Sequence, residues 1–152
     1  MKNRCVFGLF IFVVIWFSVA CQLSKSPVQY REENRLRNAV RIHPVHELGY
    51  VRLAQYLESH GRYKETFSVL RVGQKRIPNA LALVRLEGGL IQGLGFYNDS
   101  QKFYSAQINK HPNEALLYLD RAQLYWRMEK QQLALADTQK AITLQPDLFD
   151  AH

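Results

Sequence analysis

The sequence predicts an all-α chain built as a solenoid of helix–turn–helix units, and three observations carry that expectation. Four prolines, Pro44, Pro78, Pro112 and Pro146, fall 34 residues apart. Small residues keep the same step, with Ala54, Gly88 and Ala122 in one series and Thr66, Ser100 and Ala134 in another. Each interval also holds two amphipathic helical patterns joined by a turn, marked twice by a glycine two residues before a tyrosine (Gly61 and Tyr63, Gly95 and Tyr97). A fixed period of this length is the mark of stacked units that bury their apolar faces on one another.

The N-terminus stands outside the repeats. Lys2 and Arg4 precede an apolar run from Val6 to Ala20. As a helix at about 1.5 Å per residue the run reaches roughly 22 Å, short of the roughly 30 Å hydrocarbon core. This is the pattern of a signal peptide, residues 1–20, rather than a membrane span. Cys5 leaves with such a signal, so Cys21 becomes the single cysteine of an exported chain and has no intramolecular partner. The run ends Ser18-Val19-Ala20-Cys21, which resembles the lipobox of bacterial lipoproteins, with Ser18 in place of the usual leucine. That resemblance implies cleavage before Cys21, lipidation of Cys21, and a polar tether over residues 21–25. Simple cleavage and an uncleaved anchor are the alternatives. No aspartate follows Cys21, and by the same resemblance the protein sits on the periplasmic face of the outer membrane, held by more than one acyl chain.

Helical elements follow in order. Ser26-Pro27-Val28-Gln29 predicts a helix start, with Ser26 as N-cap, Pro27 at the first helical position and Gln29 closing a capping box. Residues 26–44 thus form an N-terminal half-repeat that caps a domain over 45–152. Repeats are expected at 47–80, 81–114 and 115–148. Their first helices span about Glu47–His60, Leu81–Leu94 and Ala115–Met128. Their second helices start at Tyr63, Tyr97 and Gln131. Asn79, Asn113 and Asp147 follow their prolines as expected N-caps. In the third turn Glu129 and Gln131 replace glycine and tyrosine, and Thr138 and Gln107 stand at positions usually apolar. Leu148 to His152 reads as the start of another helix, which leaves the last repeat's apolar end for self-association or partner capping, or marks a shortened sequence.

The 34-residue period with these residue types resembles the tetratricopeptide repeat (TPR), which implies a right-handed α-solenoid of about three units with a concave groove. Matching that family's groove positions onto this chain gives Arg52, Gln55 and Glu58 in the first repeat. The second gives Arg85, Gly89, Gln92 and Gly93, and the third Asp120, Gln123, Trp126 and Arg127. Trp126 is the leading candidate, because a groove-facing tryptophan anchors interfaces. Gly89 and Gly93 are four apart on one helical face, where glycine costs about 1 kcal/mol against alanine. They read either as a place for close approach of a ligand backbone or as a tolerated weak spot. The lysine and asparagine pattern of the chaperone-tail carboxylate clamp is absent. In plan the chain is similar to the type IV pilus pilotin and to TPR lipoproteins that dock cell-wall hydrolases. It is read as an adaptor for a protein or peptide, with a subunit of an envelope complex as the alternative.

Composition and charge limit the other classes. The chain carries +7, or +5 once Lys2 and Arg4 are removed. Its basic residues read as scattered among acids along the helices, the pattern of a solvated face. No P-loop, GxSxG elbow, HExxH or paired-cysteine motif is present, so no enzyme or cofactor is expected. Gly88 to Gly95 follows no strand, which excludes a phosphate cradle. His43 and His46 lack a third metal ligand nearby and read as loop residues. Export argues against nucleic acid as a partner.

Overall fold

The computed structural model describes residues 26–148 as seven helices and a closing turn. These are α1 (Pro27–Ile42), α2 (Glu47–Ser59), α3 (Tyr63–Arg76), α4 (Leu81–Gly93), α5 (Tyr97–Lys110), α6 (Ala115–Arg127) and α7 (Gln131–Leu144), then a 3-10 turn at Pro146–Leu148. No strand occurs among the described residues. The expected signal peptide and tether, Cys21, and Phe149 to His152 lie outside them.

The architecture is an all-α solenoid of helical repeats. Each helix packs on the next, and α2, α4 and α6 also touch one another in turn. The second helices of the units, α3, α5 and α7, make no such lateral contacts. An inner row of touching helices therefore faces an outer row that is splayed apart, which curves the array around α2, α4 and α6.

The sequence explains the helix ends. Ser26 Oγ accepts from the Gln29 N–H at 3.2 Å while Gln29 Oε1 accepts from the Ser26 N–H at 3.0 Å, the expected capping box. The first helix of every unit ends in the same turn: the N–H groups of Arg62, Phe96 and Lys130 donate to the carbonyls of Leu57, Ile91 and Tyr125. These bonds, 34 residues apart, need a left-handed residue just past the helix. Gly61 (φ 68°) and Gly95 (φ 85°) supply it, and in the third unit Glu129 adopts φ 59° without being glycine.

The expected asparagine caps do not form. Ala80 and Glu114 occupy the N-cap positions of α4 and α6 with no side-chain cap bond, and Asn79 instead takes a left-handed φ of 64° to turn the chain. The α4 N-terminus is served from a neighbouring unit, where Glu47 Oε1 accepts from the Ala82 N–H at 3.0 Å. Asp147 lies within the 3-10 turn. The first helices also stop one residue earlier than expected, at Ser59, Gly93 and Arg127.

Both small-residue series are buried where α2, α4 and α6 meet the second helix of their own unit. A Cβ on Gly88 would sit 2.5 Å from the Tyr104 ring, and Ser100 Oγ donates to the Gly88 carbonyl at 3.1 Å. Two apolar clusters result. One gathers Tyr50, Leu70, Leu83 and Leu90, the other Val84, Tyr104, Ile108, Leu117 and Leu124. Helix α4 contributes to both and binds the array together.

Candidate functional site: the inner row and its edge

The inner row carries every residue read from the sequence as a groove position. On α2, Arg52, Gln55 and Glu58 are exposed and, among the described residues, make no ion pair. On α4, Gly89 and Gly93 are exposed, and a Cβ built on either meets no atom within 4 Å. The two glycines leave a strip of bare backbone facing solvent, so their role is not to admit a neighbouring helix of this chain. On α6, Gln123 and Arg127 are exposed beside Trp126, whose side chain is 67% exposed.

Three of the expected positions are occupied internally. Arg85 and Asp120 bind each other, with Nε to Oδ2 at 2.7 Å and Nη2 to Oδ1 at 2.9 Å, bridging α4 to α6. The hydrogen bond to the Asp120 carboxylate pushes the Arg85 guanidinium above its ordinary pKa. Gln92 is only 7% exposed, although its counterparts one unit away are the exposed Glu58 and Trp126. Arg85 and Asp120 are engaged by each other while remaining partly exposed, and their fork between neighbouring inner helices holds the row in register.

Sequence reasoning missed the ionic cross-links between rows. Arg121 grips Asp137 on α7 at 2.7 and 2.8 Å and donates to Ser105 on α5 at 3.0 Å. Its counterpart one unit earlier is Glu87, which accepts from Arg71 at 3.0 Å and Gln74 at 2.9 Å. Arg71 aligns with Ser105, so Glu87 and Arg121 each reach the second helix of the preceding unit with opposite charge, while the Arg121–Asp137 ion pair is added in the third unit. Asp137 aligns with Phe103 and Val69, so the repeat pattern alone gave no sign of it. At the other end Glu33 accepts from Arg37 at 2.9 Å and Arg62 at 2.7 Å, tying α1 to the α2–α3 turn.

The last unit also leaves apolar side chains open. Ile142 is 42% exposed while its counterpart Ile108 is 6% exposed under the third unit. Leu135 is 66% exposed, whereas its counterpart Gln101 is half-buried and accepts from Lys130 at 3.1 Å.

Four histidines lie at helix ends, among them His60, the C-cap of α2. His43 and His111 close α1 and α5 through backbone N–H bonds to Ala39 and Gln107, and His46 precedes α2. Among the described residues, no group of three or more metal-ligating side chains comes together.

This geometry defines a class: an α-solenoid of TPR-like helical repeats. Among solved structures the chain is similar to MamA MSR-1 C2, a TPR-containing protein, with a TM-score of 0.56 and 17% identity over 80% of this chain and 70% of that one. No protein-family model and no curated protein matches the chain by sequence.

Proposed function

We propose that the chain is a non-enzymatic protein-interaction scaffold that takes a protein or peptide segment along its inner row. The observation that carries this is Trp126, a large aromatic side chain left two-thirds exposed on the row that lines the curve. Exposed tryptophans of this kind concentrate binding free energy in protein interfaces. The bare backbone at Gly89 and Gly93 gives a ligand main chain room to approach, and Arg52, Gln55, Glu58, Gln123 and Arg127 supply polar contacts around it. Trp126→Ala is expected to weaken partner binding at least tenfold and leave the melting temperature nearly unchanged. Unaltered affinity contradicts the reading.

Anchoring belongs to the same proposal. The lipobox-like end of the signal supports Cys21 as a lipidated residue, with the scaffold on the periplasmic face of the outer membrane. There it would serve envelope assembly, in pilus biogenesis or in docking a cell-wall enzyme. Among the described residues no helix is long and apolar enough to cross a membrane. Tethering raises the local concentration of a partner, so modest affinity suffices. Labelled palmitate should enter the chain, and Cys21→Ser should abolish its incorporation; label retained in that variant rules out Cys21 as the anchor.

A second reading rests on Leu135 and Ile142, exposed where their counterparts are covered. In it the chain is a structural subunit joined to an envelope complex, or to a second copy, through its last repeat. Leu135→Asp with Ile142→Asp then abolishes assembly and spares inner-row binding.

A further inference from the structure

The net charge of the described chain is not scattered. Helix α1 carries four arginines against two glutamates, and α3 carries Lys64, Arg71, Lys75 and Arg76 against Glu65 alone. Their combined +5 equals the whole net charge of residues 26–148, because the remaining helices and turns hold nine residues of each sign. The linear pattern conceals this, since α1 and α3 are separated by α2, which carries Arg52 against Glu47 and Glu58. Folding sets α1 and α3 side by side on the outer row.

Between them lies a crevice. Both helices pack on α2, and between α1 and α3, which the Arg37–Glu65 ion pair spans, lies a slot of about 320 Å³. Val40, Val69 and Val72 line it, with Leu53 and Tyr50 at its base. Arg37, Arg41 and Arg76 also line it, and no carboxylate does. Arg37 is engaged by Glu33 and Glu65. Arg76 donates to the Tyr50 hydroxyl at 3.0 Å, and neither Arg76 nor Arg41 forms an ion pair among the described residues.

We propose that the α1–α3 crevice is a second docking site, on the opposite row from the inner surface, for an acidic peptide segment carrying an apolar anchor residue. Charge complementarity selects the occupant. Two guanidiniums without a carboxylate partner, Arg41 bonded to Asn38 and Arg76 to Tyr50, match at an apolar slot the carboxylates flanking a leucine or phenylalanine, and the surrounding field steers such a segment in. The slot's size, at the lower end for ligand pockets, suits one or two side chains. Shape decides between a peptide and an anionic membrane: Leu53 and Tyr50 at the base are buried, within reach of an inserted side chain and beyond that of a flat bilayer surface.

The test uses the full chain and a fluorescein-labelled peptide with one leucine flanked by glutamates. Binding is read by anisotropy at low and high salt. Affinity should drop about tenfold or more in Arg41→Glu/Arg76→Glu and fall with rising salt, since exposed charges are screened within roughly 10 Å at 0.1 M. Arg41→Lys/Arg76→Lys should retain most of it, and Trp126→Ala should leave it unchanged, which separates this site from the inner row. A thermal melt of each variant checks that the fold survives. Peptide binding that ignores the charge reversal overturns the proposal, as does a failure of the peptide to bind while vesicles containing anionic phospholipid bind in an Arg41- and Arg76-dependent way.

Discussion

Adjacent glycines in α4 do opposite things. Gly88 is needed because a Cβ there would meet the Tyr104 ring at 2.5–2.6 Å, whereas Gly89 faces open space. Gly88→Ala should therefore destabilise the chain by about 1–3 kcal/mol through overpacking. Gly89→Ala and Gly93→Ala should each stabilise it by roughly 0.5–1 kcal/mol, because glycine is costly within a helix. Urea unfolding of the three variants reads both signs. The role of Gly88 was legible from its series with Ala54 and Ala122. For Gly89 the sequence left two readings, close approach of a ligand or a tolerated weak spot, and helical periodicity alone does not say that its face remains empty. Glu129 offers a third residue-scale check. It holds the left-handed position that Gly61 and Gly95 occupy in the other units, at about 1–2 kcal/mol for a non-glycine residue. Glu129→Gly should raise the melting temperature.

Among elements, the seams between helices are held by ionic contacts that apolar periodicity does not encode. Arg121 and Asp137 join α6 to α7 with both side chains largely buried. Asp137→Ala strands a buried guanidinium and should cost about 3–5 kcal/mol, while replacing both partners with leucine should come near neutral. Denaturant melts of the single and double variants distinguish these outcomes. At the α1 end, Glu65 has its pKa lowered by the hydrogen bond from Arg62, then by that from Arg37. A carboxylate with a depressed folded pKa adds stability above its ordinary value and loses it as pH falls through the folded one. Acid melts should thus be steeper for the parent chain than for Glu65→Gln. The helices themselves were readable from prolines, small residues and caps. Asn79 misled because asparagine serves both as a cap and as a left-handed turn residue, and here the turn prevailed.

For the whole molecule, the two apolar clusters share α4, so the repeats should unfold as one unit. Leu83→Ala, at a fully buried position, should lower stability by about 2–5 kcal/mol and keep a single transition by circular dichroism and tryptophan fluorescence. The solenoid was legible because its period is written four times along the chain. The charge distribution was not, because α1 and α3 become neighbours only after the array folds. Of the groove positions, those on α2 and α6 remain open apart from Asp120, whereas Arg85 and Asp120 pair with each other and Gln92 is buried, which a family pattern does not reveal. What distinguishes the inner row is an exposed tryptophan beside bare helix backbone. The direct test is site-specific photo-crosslinking from position 123, next to Trp126, in cells carrying the full chain. The account predicts an adduct of defined mass that disappears in Trp126→Ala while the variant melts as the parent does. An adduct that persists without Trp126, or one that forms only from position 135, would contradict it.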